Sequence, residues 1–119
     1  MSTDSTVITR DRSALWITIN RPDDLNALTP DVIAGLNSAC DEVEKDQSIR
    51  ALVITGSSGG TTENFSVGMD IEFLGKCFAD IDGVFIPFVT SVHKVLLRLE
   101  SLDVPVIAAV NGFARAGGF

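Results

Sequence analysis

The stretch PVIAAVNGFARAGGF, residues 105–119, decides how this chain folds. Val104–Val110 is a run of branched and small apolar residues that reads as a strand buried on both faces, and Asn111-Gly112 ends it in a turn. Ala116, Gly117 and Gly118 then stand where a helix would open. A strand, a glycine turn and a helix start form one repeat of an α/β layout.

The same order occurs once more upstream. ALVITG (51–56) is an apolar run stopped by glycine, SSGGTTEN is a loop, and FSVGMDIEFLG turns through Gly68 to Asp70, the N-cap of a short helix from Ile71. The spacing predicts a longer helix from about Ile86 to Ser101, with Pro87 in its first turn. Its apolar stripe is Val89, Val92, Val95, Leu96, Leu99 and Leu102. Nearer the N-terminus, VITR and ALWITIN (14–20) alternate as a hairpin that turns Leu15, Ile17 and Ile19 inward. RPDDLNALTP is a loop. Its Thr29 caps, and Pro30 opens, a helix running to about Asp46 on Val32, Ile33, Leu36, Ala39, Cys40 and Val43. The order β, β, α, β, loop, short α, long α, β, turn predicts an α/β layered fold with helices on a mixed sheet.

At 119 residues and 45% hydrophobic content, one domain with its own core is expected. A net charge of -7 lacks the basic footprint that nucleic acid or an anionic membrane surface requires, although it leaves room for a phosphorylated small ligand. The N-terminus has no basic segment followed by an apolar one, and no run approaches the roughly 18 residues of a membrane span, so a soluble, cytoplasmic protein is expected. Cys40 and Cys77 are far apart and outside any CxxC, which favours buried reduced thiols over a metal or redox site.

Chemistry gathers at the two glycine turns. A helix N-terminus collects unpaired N–H donors and the positive end of the helix dipole, so it stabilises negative charge appearing beside it. If the preceding strands are neighbours, NFSVGMD and NGFARAGGF lie side by side, and a carbonyl oxygen between them receives one N–H from each. Either turn alone is more often structural than functional; the pair is more specific.

The blocks ITINRPDDLNAL, IRALVITG, FSVGMDI and PVIAAVNGFARAGG resemble, in order and spacing, those of the enoyl-CoA hydratase/isomerase, or crotonase, superfamily. The resemblance implies a spiral of repeated ββα turns and an acyl-CoA thioester as substrate. Residues 1–119 are then expected to be the N-terminal half of a single domain, truncated at its C-terminal end. The implied oxyanion donors are the backbone N–H groups of Met69 and Gly117. Coenzyme A is expected against Leu25, Ala27, Val67, Asp70 and Ile71, with Phe113 lining the acyl side. Asp70 reads equally as a plain helix cap. Coenzyme A enters as part of the substrate; no separate cofactor or metal is implied, and the whole protein is expected as a trimer or dimer of trimers.

Three departures matter. Asp24 stands where the family often has a basic residue for a CoA phosphate, and Ala116 replaces the first glycine of the usual triple. None of the sixteen Asp and Glu residues falls on a family catalytic acid, whose positions lie beyond Phe119. Glu63, Asp70 and Glu72 read as loop and cap residues, and His93, beside the apolar stripe of the long helix, as a histidine at the edge of that stripe rather than a base. The expectation is an enoyl-CoA hydratase of fatty-acid oxidation, with the 119 residues alone inactive. The alternatives are an isomerase or other enolate chemistry, a remnant that binds CoA or a partner chain without turnover, and a nucleotide-binding half. The last is disfavoured by the lack of GK[ST] and GxGxxG.

Overall fold

In the computed structural model, which describes residues 4–60 and 62–119, alternation in the first third of the chain produces a hairpin. Strands β1 (Thr6–Asp11) and β2 (Ala14–Ile19) pair antiparallel, with Ile8 opposite Ile17. Leu15, Ile17 and Ile19 are buried, as their period of two predicts. The helix α1 (Pro30–Lys45) starts where Thr29 Oγ1 accepts the Val32 N–H at 3.4 Å. It buries the six apolar residues expected of it. That face closes over β1 and β2 and meets the helix α3 (Ile86–Ser101). Full burial of side chains such as Ile17, Val32 and Leu52 contributes about 1.5–3 kcal/mol each.

Strand β3 (Ala51–Gly56) lies parallel to β2, and β5 (Val106–Ala109) parallel to β3, giving the sheet order β1-β2-β3-β5. Parallel neighbours need a crossover. From β2 to β3 it is α1. From β3 to β5 the chain first lays down β4 (Asn64–Ser66), then the helix α2 (Ile71–Ala79), a π-helical turn (Ile81–Phe85) and α3. Strand β6 (Phe113–Ala114) follows β5 and pairs parallel with β4 in a second, two-stranded sheet. The circuit from β3 to β5 therefore passes through the large sheet, the small sheet and the helices. This is the ββα spiral in part, with β5 and β6 entering a further turn. Its first circuit differs, since β1 and β2 both belong to the large sheet.

Two expectations need correction. The strand over 104–110 forms but is not buried: it is the sheet edge, and Val106, Ile107 and Val110 are exposed. In α3, Leu96 faces outward, while Phe88, absent from the expected stripe, is buried edge-on against Phe73 with ring centroids 4.8 Å apart. The true stripe runs through Phe88, Val92, Val95, Leu99 and Leu102. Arg98 ties α3 to α1 through Asp41, Glu44 and the Asn37 carbonyl, and the bonds to Glu44 and Asp41 hold its pKa above the ordinary value. Cys40 and Cys77 are buried free thiols, and burial raises the Cys40 pKa. Among the described residues no helix is long and apolar enough to cross a membrane.

Candidate functional site

Strand order brings the two glycine turns together. Because β5 lies beside β3 and β6 beside β4, the turns that follow β4 and β6 meet. Gly68 has φ +96°, a conformation that L side chains rarely adopt, and a Cβ added there would stand 2.8 Å from the Gly117 nitrogen. A Cβ added to Gly117 would stand 3.9 Å from the Met69 nitrogen. The Met69 and Gly117 backbone nitrogens are thus neighbours across the two turns.

Both are left without an acceptor among the described residues, for different local reasons. Met69 forms an isolated parallel bridge with Leu28: the Leu28 N–H donates to Gly68 O at 2.7 Å, and the Asp70 N–H to Leu28 O at 2.9 Å. In such a bridge the polar groups of Met69 itself face the other way. Gly117 lies in a single 3-10 turn (Ala116–Gly118), whose first N–H groups have no partner within it. That turn hangs from β4 by the Arg115 N–H, which donates to Ser66 O at 3.0 Å.

The loop from Arg21 to Leu28 supports the first turn. Leu25 and Asn26 are consecutive left-handed residues, with φ of 60° and 53°. Asn26 is buried and fully engaged: its Oδ1 accepts the Arg21 N–H, and its Nδ2 donates to Asn64 O at 2.7 Å and Ser57 O at 3.1 Å. The Arg21 guanidinium donates to Ala27 O at 2.9 Å, Asp70 Oδ1 at 3.2 Å and Asp24 Oδ2 at 3.1 Å. Asp70 Oδ2 accepts the Phe73 N–H at 2.9 Å, so one carboxylate caps α2 and holds the loop.

Two hollows flank the donor pair. One, of about 290 Å³, is formed by Leu25, Ala27, Val67, Met69, Asp70 and Ile71, with Asp23, Asp24 and Glu72 completing its lining. The other, an apolar cleft of about 250 Å³, runs between α1, α3 and the second turn, past Leu28, Phe65, Val95 and Leu99 to Gly117 and Phe119. Met69 lines the first and Gly117 the second. Among the described residues, no carboxylate or histidine side chain lines the apolar cleft.

Residues 9–119 match the family model described as enoyl-CoA hydratase/isomerase. The chain belongs to that family. It is 36% identical over 118 residues to the short-chain-enoyl-CoA hydratase of Clostridium acetobutylicum, covering 99% of this chain and 43% of that protein. The crystal structure of an enoyl-CoA hydratase from a Polaromonas species superposes with a TM-score of 0.85 at 28% identity, over 95% of this chain and 42% of the other. An enoyl-CoA hydratase/isomerase from Mycobacterium paratuberculosis gives 0.78 at 33% identity, over 93% and 43%. The chain thus spans less than half the length of these relatives, and its fold is the crotonase fold in part.

Within this family member, seven of the eight expected site residues line the two hollows. Phe113 lines neither; it is half-exposed on β6 under the Arg115 guanidinium, 4.4 Å from the ring centroid. Glu63 and His93 are exposed. Reading the sequence missed Arg21, Asn26 and Asn111, whose side-chain amide clamps both backbone groups of Gly56 at 2.6 and 3.2 Å. Asn26 carried a signal, since asparagine tolerates the left-handed conformation of a tight loop. Arg21 carried none, because its partner Asp70 is 49 positions away.

Proposed function

We propose that the protein carrying this chain is a cytoplasmic enoyl-CoA hydratase and that this chain supplies its oxyanion hole. The observation that supports the reading is the closeness of the Met69 and Gly117 backbone nitrogens, neither with an acceptor among the described residues, Met69 lining one hollow and Gly117 the other. The thioester carbonyl oxygen of a trans-2-enoyl-CoA sits between the two donors. Coenzyme A lies in the hollow built on Leu25, Ala27, Val67, Asp70 and Ile71, and the acyl chain enters the apolar cleft.

Water then adds across the double bond. Its oxygen bonds to the β-carbon while a base takes its proton, the π electrons move onto the thioester oxygen as an enolate, and proton delivery to the α-carbon restores the carbonyl. Two fixed donors favour the enolate over the less charged carbonyl, so they lower the barrier. The base and acid come from outside these residues, in keeping with a cleft that no carboxylate side chain lines among the described residues. The same hole serves an isomerase, which the family description also covers. We read the assembly as a trimer or dimer of trimers, for which exposed Phe78 and Leu97 offer apolar surface.

The test uses the whole protein with a short trans-2-enoyl-CoA. Disappearance of the conjugated thioester absorbance with formation of the 3-hydroxyacyl-CoA is expected; a shifted double bond without hydration makes the protein an isomerase. Absence of either reaction from a folded protein overturns the reading. Light scattering decides the oligomer.

A further inference from the structure

The Leu28–Met69 bridge, which sets the direction of the first donor, is weak by itself. It is isolated, with two backbone hydrogen bonds and no ladder on either side. The Arg21 guanidinium spans it. One terminal nitrogen donates both to the carbonyl of Ala27, the residue before Leu28, and to the carboxylate of Asp70, the residue after Met69. Arg21 and Asp70 side chains are only 18% and 14% exposed, so their bond is less screened than a surface pair. Arg21 is itself fixed, because its N–H donates to the buried Asn26.

We propose that Arg21 is a positioning residue for the reaction, clamping the loop and the α2 cap so that the Met69 N–H points into the donor space. The inference rests on the reading that Met69 and Gly117 polarise a thioester carbonyl. Arg21 holds neither donor; it acts through the backbone on both sides of Met69. Hydrogen bonds weaken steeply as the donor angle falls, so a small rotation of one peptide removes much of that donor. A lysine ammonium lacks the planar fork and cannot hold Ala27, Asp70 and Asp24 together in the same arrangement.

The test is the infrared carbonyl stretch of an acyl-CoA labelled with ¹³C at the thioester carbon and bound to the whole protein, beside kcat and KM for the enoyl substrate. In the wild type the stretch moves to lower frequency on binding. In Arg21→Gln and Arg21→Lys it recovers roughly half of that displacement, with kcat falling about 10- to 100-fold and KM changing less. Arg10→Gln is the control: it removes an equal charge from an exposed pair with Asp46 and keeps the wild-type stretch. No displacement in the wild type sinks the thioester reading. A full displacement in either Arg21 variant overturns the role of Arg21 while that reading stands. Should Arg21→Gln fail to fold, Asp70→Asn, which keeps a capping side chain and drops the charge, is expected to show the same partial recovery, and a full displacement there overturns the clamp.

Discussion

The turn through Gly68 and Met69 is fastened on several sides: the Leu28 bridge, the Asp70 cap on nine-residue α2, and the Arg21 clamp. The turn through Ala116 and Gly117 hangs from one bond to Ser66 and closes on three residues of 3-10 helix. They also solve the same backbone problem with different residues. The first places glycine at its positive φ, +96°, whereas the second places Ala116 at +48°. A donor pair needs both partners fixed, and here the firmly held turn serves as the wall against which the lighter one rests, Gly117 N against Gly68.

Breaking the wall has the largest effect. Gly68→Ala forces a side chain into φ +96° and sets its Cβ 2.8 Å from the Gly117 nitrogen. A loss of about 2–3 kcal/mol in urea unfolding is expected from the strain, together with loss of turnover. Gly117→Ala separates geometry from stability. Its Cβ meets Gly68 Cα and Leu28 Cδ1 at 3.6 Å, ordinary contact, yet comes within 3.9 Å of the Met69 nitrogen. Stability within about 0.5 kcal/mol of wild type and a fall in kcat of roughly 10²–10³-fold are expected, since the oxygen is displaced from its donors. An unchanged kcat in a folded Gly117→Ala protein would remove the oxyanion assignment.

Next comes the fastening of the first turn. Asp70→Ala removes both the cap and the Arg21 pair, and about 1–2 kcal/mol of stability goes with them. Asp70→Asn keeps a capping oxygen and is expected to lose less than half as much by thermal unfolding. Equal losses in the two variants would show that the charge, not the cap, dominates there.

Most of this frame was legible residue by residue. Periodicity gave α1 its six buried positions, and Thr29 and Asp70 were readable as caps because capping acts over three residues. Strands β4 and β6, three and two residues long, were not, since runs that short carry no alternation. Apolar residues of β5 announced a strand but not its exposure, because coverage depends on what packs against it and not on its own composition. Six of the eight site residues share one hollow that short blocks of sequence made recognisable. The bonds that hold it, Arg21 to Asp70 and Asn26 to Asn64, join positions 49 and 38 apart, and no local pattern announces such a pair.

The smallest effect is the most direct probe of how the two turns lean on each other. Ala116→Gly removes a methyl from a left-handed residue, which relieves about 1–2 kcal/mol of backbone strain, while the freer glycine adds back about 0.4–1 kcal/mol of unfolded-state entropy. A net gain of about 0.5 kcal/mol is expected in urea unfolding. The same methyl would lie 3.1 Å from a Cβ placed on Gly68, so the two substitutions share a contact. In the double variant, Ala116→Gly should therefore recover more of the Gly68→Ala loss than it gains alone, a coupling of about 0.5–1 kcal/mol. Recovery stays partial, because the closer approach, to the Gly117 nitrogen, belongs to the backbone and survives both changes. Strict additivity would mean that the second turn moves away when the first is altered, and that the donors are held by their own strands and not by each other.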